Sequence, residues 1–109
     1  MKKILFICSA NRQRSKTAED YFSEKHPSME FRSAGTNHKI CRQAGTIPLT
    51  EDLLAWADKI FVMEKKHFEM INEHVGTIYN PKLRILNIPD RFKYFQKELL
   101  ELLDVKVSI

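Results

Sequence analysis

The stretch Lys2-Lys3-Ile4-Leu5-Phe6-Ile7-Cys8-Ser9-Ala10-Asn11-Arg12-Gln13-Arg14-Ser15 decides how the chain reads. Its apolar run, with no polar alternation from Ile4 to Ile7, predicts a strand buried on both faces, as in a parallel sheet. That strand delivers a thiol, Cys8, into a short loop, and a helix-like segment opens at Ser15. Cys8 and Arg14 bracket five residues. Backbone N–H groups of such a loop turn inward on an oxyanion, and the helix N-terminus adds positive potential. Arg14 offers a planar fork for two phosphate oxygens. The same field favours thiolate over thiol, and thiolate is the nucleophile. The expected product is a phosphate-binding nucleophile site made of Cys8, Ser9, Ala10, Asn11, Arg12, Gln13, Arg14 and Ser15.

Outward from this loop, helical and strand patterns alternate. A helix is expected from Ser15 to about Lys25, stopped at His26-Pro27. Met29 to Ser33 reads as a second strand. Gly35 to Pro48 reads as a loop, with Gly35, Asn37, Gly45 and Pro48 as breakers. Thr50 has the character of an N-cap, with Glu51 and Asp52 in the first turn and Leu53, Leu54 and Trp56 on the buried side. Ile60 to Met63 is a third strand, Lys65 to His74 a helix closed by Gly76, and Leu83 to Ile88 a fourth strand. A last helix is predicted from Phe92 to about Val105, with Phe92, Phe95, Leu99, Leu102 and Leu103 at helical spacing. Such alternation implies a parallel sheet with right-handed crossovers. Ligands of these sheets bind outside the carboxyl ends of the strands. Cys8 ends strand one and Asp90 follows strand four, so the two can face one crevice although they are 82 positions apart. Asp90 is the candidate general acid; its alternative role is to cap the last helix.

Composition narrows the possibilities. A chain of 109 residues with 43% apolar content is expected to form one domain, residues 1–109, with a core of its own. No apolar run approaches the roughly 18 residues that span a bilayer, and no signal-peptide core is visible. Two cysteines give no disulfide framework, so a reducing, cytoplasmic location is expected. A net charge of +4 favours phosphorylated or otherwise anionic partners over cationic ones. His26, His38, His67 and His74 lack ligand spacing, so no metal and no other cofactor is expected. Phe92, Tyr94 and Phe95 do not alternate with basic residues as an RNA-binding sheet would, which argues against a nucleic-acid partner. Oligomeric state is not legible.

Cys8, Asn11, Arg14, Ser15, Ala18 and Glu19 fit the pattern Cys-x-x-Asn-x-x-Arg-Ser-x-x-Ala-Glu. In this the chain resembles the low-molecular-weight protein tyrosine phosphatases, in a short form. The resemblance continues at Ser33-Ala34-Gly35-Thr36, at Ala57-Asp58-Lys59-Ile60-Phe61-Val62-Met63, and at the acid loop Ile88-Pro89-Asp90. It implies an α/β, three-layer sandwich with a four-stranded parallel sheet of order 2-1-3-4, flavodoxin-like. It also implies a phosphatase acting on phosphomonoesters, with phosphotyrosine on protein as the expected substrate and small phosphomonoesters as the other class.

Cys8 would attack phosphorus and form a cysteinyl-phosphate. Arg14 would hold the equatorial oxygens. Asp90 would protonate the leaving oxygen and then activate water. Ser15 would donate to the sulfur, and Asn11 would brace the loop in a backbone conformation that Asn tolerates. Two other readings compete. An arsenate reductase-like enzyme needs relay cysteines, and Cys41 alone is on hand. A non-catalytic phosphate-binding module would keep Arg14 but has no need of Asp90. Three departures from the family stand out. The acid loop reads Asp90-Arg91-Phe92 where Asp-Pro-Tyr is common. Arg12 replaces an apolar residue of the pocket wall, and Gln13 replaces a frequent second cysteine.

Overall fold

Strand β1 (Lys3–Cys8) forms the centre of the molecule because both of its faces are apolar. In the computed structural model, which describes all 109 residues, it is flanked in parallel by β2 (Glu30–Gly35) and β3 (Lys59–Val62). A fourth strand, β4 (Leu83–Ile85), pairs in parallel with β3, giving the order β2-β1-β3-β4. The parallel α/β sheet and its expected order are therefore both present. The pleat of β1 divides the core. Ile4, Phe6 and Cys8 pack with helix α1 (Arg14–Lys25) and the C-terminal helix α5 (Lys97–Lys106), through Ala18, Phe22, Leu99 and Leu103. Leu5 and Ile7 face the other layer, where α3 (Glu51–Trp56) and α4 (Lys65–Val75) contribute Leu54 and Ile71. Phe6 is stacked against Phe22, Phe31 and Phe61 at centroid distances of 5.7, 6.2 and 5.6 Å. Each fully buried side chain of this size contributes about 1.5–3 kcal/mol. The paired layers fix β1, and with it the position of Cys8 at the strand's carboxyl end.

Three expectations need correction. The segment 35–48 is not all loop: it contains α2 (His38–Ala44). Asn37 and Gly45, which look like breakers, are that helix's caps. The Asn37 side chain accepts from the Ile40 N–H, and Gly45 closes the helix at φ 72°. Strand four ends at Ile85 rather than Ile88, because Asn87 turns into the left-handed region at φ 58°. The last helix begins at Lys97, not Phe92. Residues 92–96 instead wrap across the first layer, with Phe95 at φ 59° and its N–H donated to Thr17 Oγ1. Phe92, Leu99 and Leu103 are buried as expected, but Phe95 is partly exposed and Phe92 reaches the core from a loop. Asp90 is consequently not the cap of a helix at Arg91 or Phe92. Trp56 lies at the margin of the second core layer, with the Arg32 guanidinium 4.4 Å over its ring.

Gly35 allows the close approach on which the loop depends. A Cβ there would stand 2.5 Å from Cys41 Sγ and 2.6 Å from the Ser9 carbonyl oxygen. Only glycine lets the end of β2 and α2 pack beneath the Cys8 loop. No helix is long and apolar enough to cross a membrane.

Candidate active site

The loop after β1 is shaped by one side chain, Asn11. Its backbone sits at φ 56°, a conformation Asn adopts at lower cost than most residues. Its Nδ2 donates to Ser15 Oγ at 2.9 Å and to Ser33 Oγ at 2.8 Å, and its Oδ1 accepts from the Ile47 N–H at 3.1 Å. Asn11 is 2% exposed and all of these polar groups are engaged. Ser33 in turn donates its hydroxyl hydrogen bond to Glu19 Oε1. Thus β2, α1 and the segment before Pro48 all hold the loop.

The sulfur of Cys8 receives the other end of this network. Ser15 Oγ lies 2.9 Å from Cys8 Sγ, and the Asn11 backbone N–H donates to the sulfur at 3.3 Å. Because Ser15 Oγ already accepts from Asn11, its hydroxyl proton is free to point at the sulfur. Two donors thus converge on one sulfur. Ser15 lies inside α1, one residue after Arg14, and caps nothing; the N-cap position belongs to Gln13.

Arg14 is 2% exposed, an unusual burial for a cation, and its contacts explain how it is held. One terminal nitrogen, Nη1, donates both to a Glu64 carboxylate oxygen and to the Ile88 carbonyl at 2.8 Å. Nε and the second terminal nitrogen make no hydrogen bond to protein, which leaves one edge of the guanidinium to grip two oxygens of an anion. Asp90 approaches that edge, Oδ1 lying 3.8 Å from Nε, and its carboxylate is mostly exposed. The Ile88 carbonyl therefore ties the acid loop to the thiol loop. Partial burial pushes the Glu64 carboxyl up, but the hydrogen bond and charge of Arg14 outweigh that and hold it below the usual range.

Two contributors take parts that sequence reading does not assign them. Glu64 follows β3 and looks like any helix-opening acid. His67, one turn into α4, is fully buried. Its Nδ1 accepts from the Glu64 N–H at 3.1 Å, so the neutral ring carries its proton on Nε2 and donates to Ser9 Oγ at 2.9 Å. Burial, reinforced by the Arg14 charge, lowers its pKa to about 4. The unfolded chain takes up this proton near pH 6.5 and the folded one only near 4, so stability falls as pH drops through that window. The full difference is worth up to about 3 kcal/mol. His67→Gln keeps a donor for Ser9 but does not titrate. Urea melts at pH 7 and pH 4.5 are expected to show a smaller acid loss in this variant than in the parent; an equal loss would clear His67 of that role.

Cys41 Sγ lies beneath the loop, 3.6 Å from the Ala10 carbonyl, and is fully buried. A separate cavity of about 450 Å³ opens between α3 and α4, lined by Leu49, Leu54, Met70 and Ile71 among others; it contains none of the loop residues.

Cys8 and Arg14 thus share one strand-to-helix connection, and the Asp90 carboxylate approaches the open edge of Arg14. Residues 3–47 match the family model of low molecular weight phosphotyrosine protein phosphatase. The chain's resemblance to that family, carried by this N-terminal segment, extends in fold to nearly its whole length. It is similar to Wzb of Vibrio vulnificus, solved with benzylphosphonate, at 23% identity over 96% of this chain and 93% of that one, TM-score 0.75. It is similar to the YwlE arginine phosphatase of Geobacillus stearothermophilus at 22% identity, covering 95% and 89%, TM-score 0.72. A low molecular weight protein tyrosine phosphatase of Streptococcus pyogenes matches at 18% identity, covering 96% and 85%, TM-score 0.73. No curated protein matches the sequence significantly.

Proposed function

We propose that this protein is a cytoplasmic phosphomonoester hydrolase that works through a cysteinyl-phosphate, with phosphotyrosine on protein as its substrate. The observation that carries this reading is the placement of Cys8 Sγ under two donors, beside a buried Arg14 with one open edge. Phosphate oxygens bind the loop N–H groups of residues 9–15 and the free edge of Arg14. The Cys8 thiolate attacks phosphorus in line, forming the P–S bond as the P–O bond breaks. Asp90 gives its proton to the leaving oxygen. The carboxylate then takes a proton from water, water attacks phosphorus, and the P–S bond breaks. Ser15 steadies the departing thiolate through its hydroxyl. The buried position of Cys41 against loop carbonyls favours hydrolysis over an arsenate-reducing thiol relay, which needs an accessible second thiol.

Likeness to an arginine phosphatase raises a second reading, phosphoarginine. Arg12 weighs against it, since an arginine leaving group is itself basic and would meet an exposed cation at the mouth. Matched peptides carrying phosphotyrosine or phosphoarginine decide the matter: turnover of the tyrosine peptide is expected to dominate, and the reverse order would overturn the assignment. Asp90→Asn is expected to slow tyrosine phosphate by about a hundredfold to ten-thousandfold, the usual worth of a general acid. Activated aryl phosphates, whose leaving oxygen is already stable as an anion, should lose far less in phosphorylation of Cys8. Equal, small losses across leaving groups would remove Asp90 from proton transfer.

A further inference from the structure

Two residues at the start of α4 fasten opposite ends of the Cys8 loop. Glu64, the N-cap of α4, binds Arg14 at the loop's far end. His67, three residues later, donates from Nε2 to Ser9 Oγ at 2.9 Å, on the residue that follows the nucleophile. Capping of the helix accounts for the Nδ1 contact, which accepts from the Glu64 N–H at 3.1 Å. It does not account for the Nε2 contact. His67 is fully buried, and an apolar side chain would fill the same space without demanding a partner there. The imidazole is therefore held in one tautomer and aimed at one hydroxyl.

That hydroxyl has one proton left to give. Ser9 Oγ accepts from His67, and no acceptor of the protein receives its own hydrogen. The carbonyls of the loop are turned outward: that of Ser9 accepts from the Asn37 N–H at 2.9 Å, and that of Ala10 from Thr46 Oγ1 at 2.6 Å. The Asn11 N–H, by contrast, points inward at the sulfur. Ser9 is partly exposed while His67 is sealed, so the open side of the hydroxyl lies away from the ring. An arc runs from the residue beside the sulfur through His67 and Glu64 to Arg14. The place for an anion, between Sγ and the open guanidinium edge, lies between the two ends of that arc.

We propose that the Ser9 hydroxyl is a further donor to the bound phosphoryl group, beyond the Ser9 backbone N–H, and that His67 is the residue that positions it. With the imidazole N–H on one lone pair, the hydroxyl proton is directed to the other side, where an anion supplies the missing acceptor. A neutral donor on a charged acceptor belongs to the stronger class of hydrogen bond. The effect on turnover rests on the phosphatase reading; the effect on phosphate binding does not.

The test titrates inorganic phosphate calorimetrically into the parent, Ser9→Ala, Ser9→Thr, His67→Asn, His67→Gln and the double Ser9→Ala/His67→Asn. Ser9→Ala should weaken binding by about tenfold to a hundredfold, the worth of a hydrogen bond to a charged group. Ser9→Thr keeps the hydroxyl and should bind nearly as the parent does. His67→Asn can still cap α4 but is too short to reach Ser9, and should lose affinity as Ser9→Ala does. His67→Gln, long enough to place a donor at Ser9, should recover most of it. In the double variant the two losses should not add, because His67 acts through Ser9 alone. A merely structural His67 would cost as much in Ser9→Ala as in the parent, and additive losses would remove its positioning role. Thermal melts establish that each variant is folded; should His67→Asn not fold, Ser9→Ala against Ser9→Thr still decides whether the hydroxyl is a donor. Unchanged phosphate affinity in Ser9→Ala, or a Ser9→Thr as weak as Ser9→Ala, would overturn the proposal. The expected pattern of phosphate binding in a parent that does not turn over p-nitrophenyl phosphate would uphold the donor and sink the phosphatase reading alone.

Discussion

Cys8→Ser is expected to cut turnover of p-nitrophenyl phosphate on the order of a millionfold, the scale on which enzymes with covalent intermediates depend on their nucleophile. That corresponds to about 8 kcal/mol of transition-state stabilisation. The hydroxyl stays protonated where a thiolate would attack, and Ser15 then faces a group that needs no stabilised anion. Phosphate binding should survive, because the loop N–H groups and the Arg14 edge are untouched and Cys8 is too small a part of the core for its change to unfold β1. Steady-state rates and phosphate protection against thermal unfolding, measured on one preparation, check both halves. Residual activity within tenfold of the parent would exclude a covalent role for Cys8.

Arg14→Lys should be nearly as damaging. An ammonium carries the charge but cannot hold two oxygens along one planar edge while a separate nitrogen binds Glu64 and the Ile88 carbonyl. Removing a single transition-state donor typically costs about a hundredfold to a thousandfold, and the loss here should reach or exceed the upper figure. Because the Ile88 contact also tethers the acid loop, the loss should be larger for poor leaving groups, which need Asp90, than for good ones. Rates close to normal would take Arg14 out of the site. Uniform loss across leaving groups would mean that the tether does not position Asp90.

Much of the scaffold was open to sequence reading because it depends on local pattern. The unbroken apolar run of β1 could only be a doubly covered strand, and the caps Thr50 and Gly76 stand where helix chemistry puts them. What escaped was set by tertiary contacts. Helix α2 was hidden because its two caps carry the same residue types as turns. The apolar spacing of Phe92, Phe95, Leu99 and Leu103 matches a helix, yet docking of the Phe95 N–H on Thr17 holds the first part as a loop. Within the site, Cys8, Arg14 and Asp90 were legible from residue type and strand end. The contacts of Glu64 and His67 were not, since nothing in a lysine-rich helix start announces that a carboxylate will meet Arg14 or that an imidazole will be sealed from water.

The bracing of the loop through Asn11 bears on how such a protein can change over generations. Three separate elements fasten that one side chain, so the path of the backbone around the anion does not depend on the side chains at positions 12 and 13. Those positions can drift from apolar to basic or polar without moving the sulfur. The path of the loop is set by buried residues, while its exposed positions can change in charge and size without disturbing it.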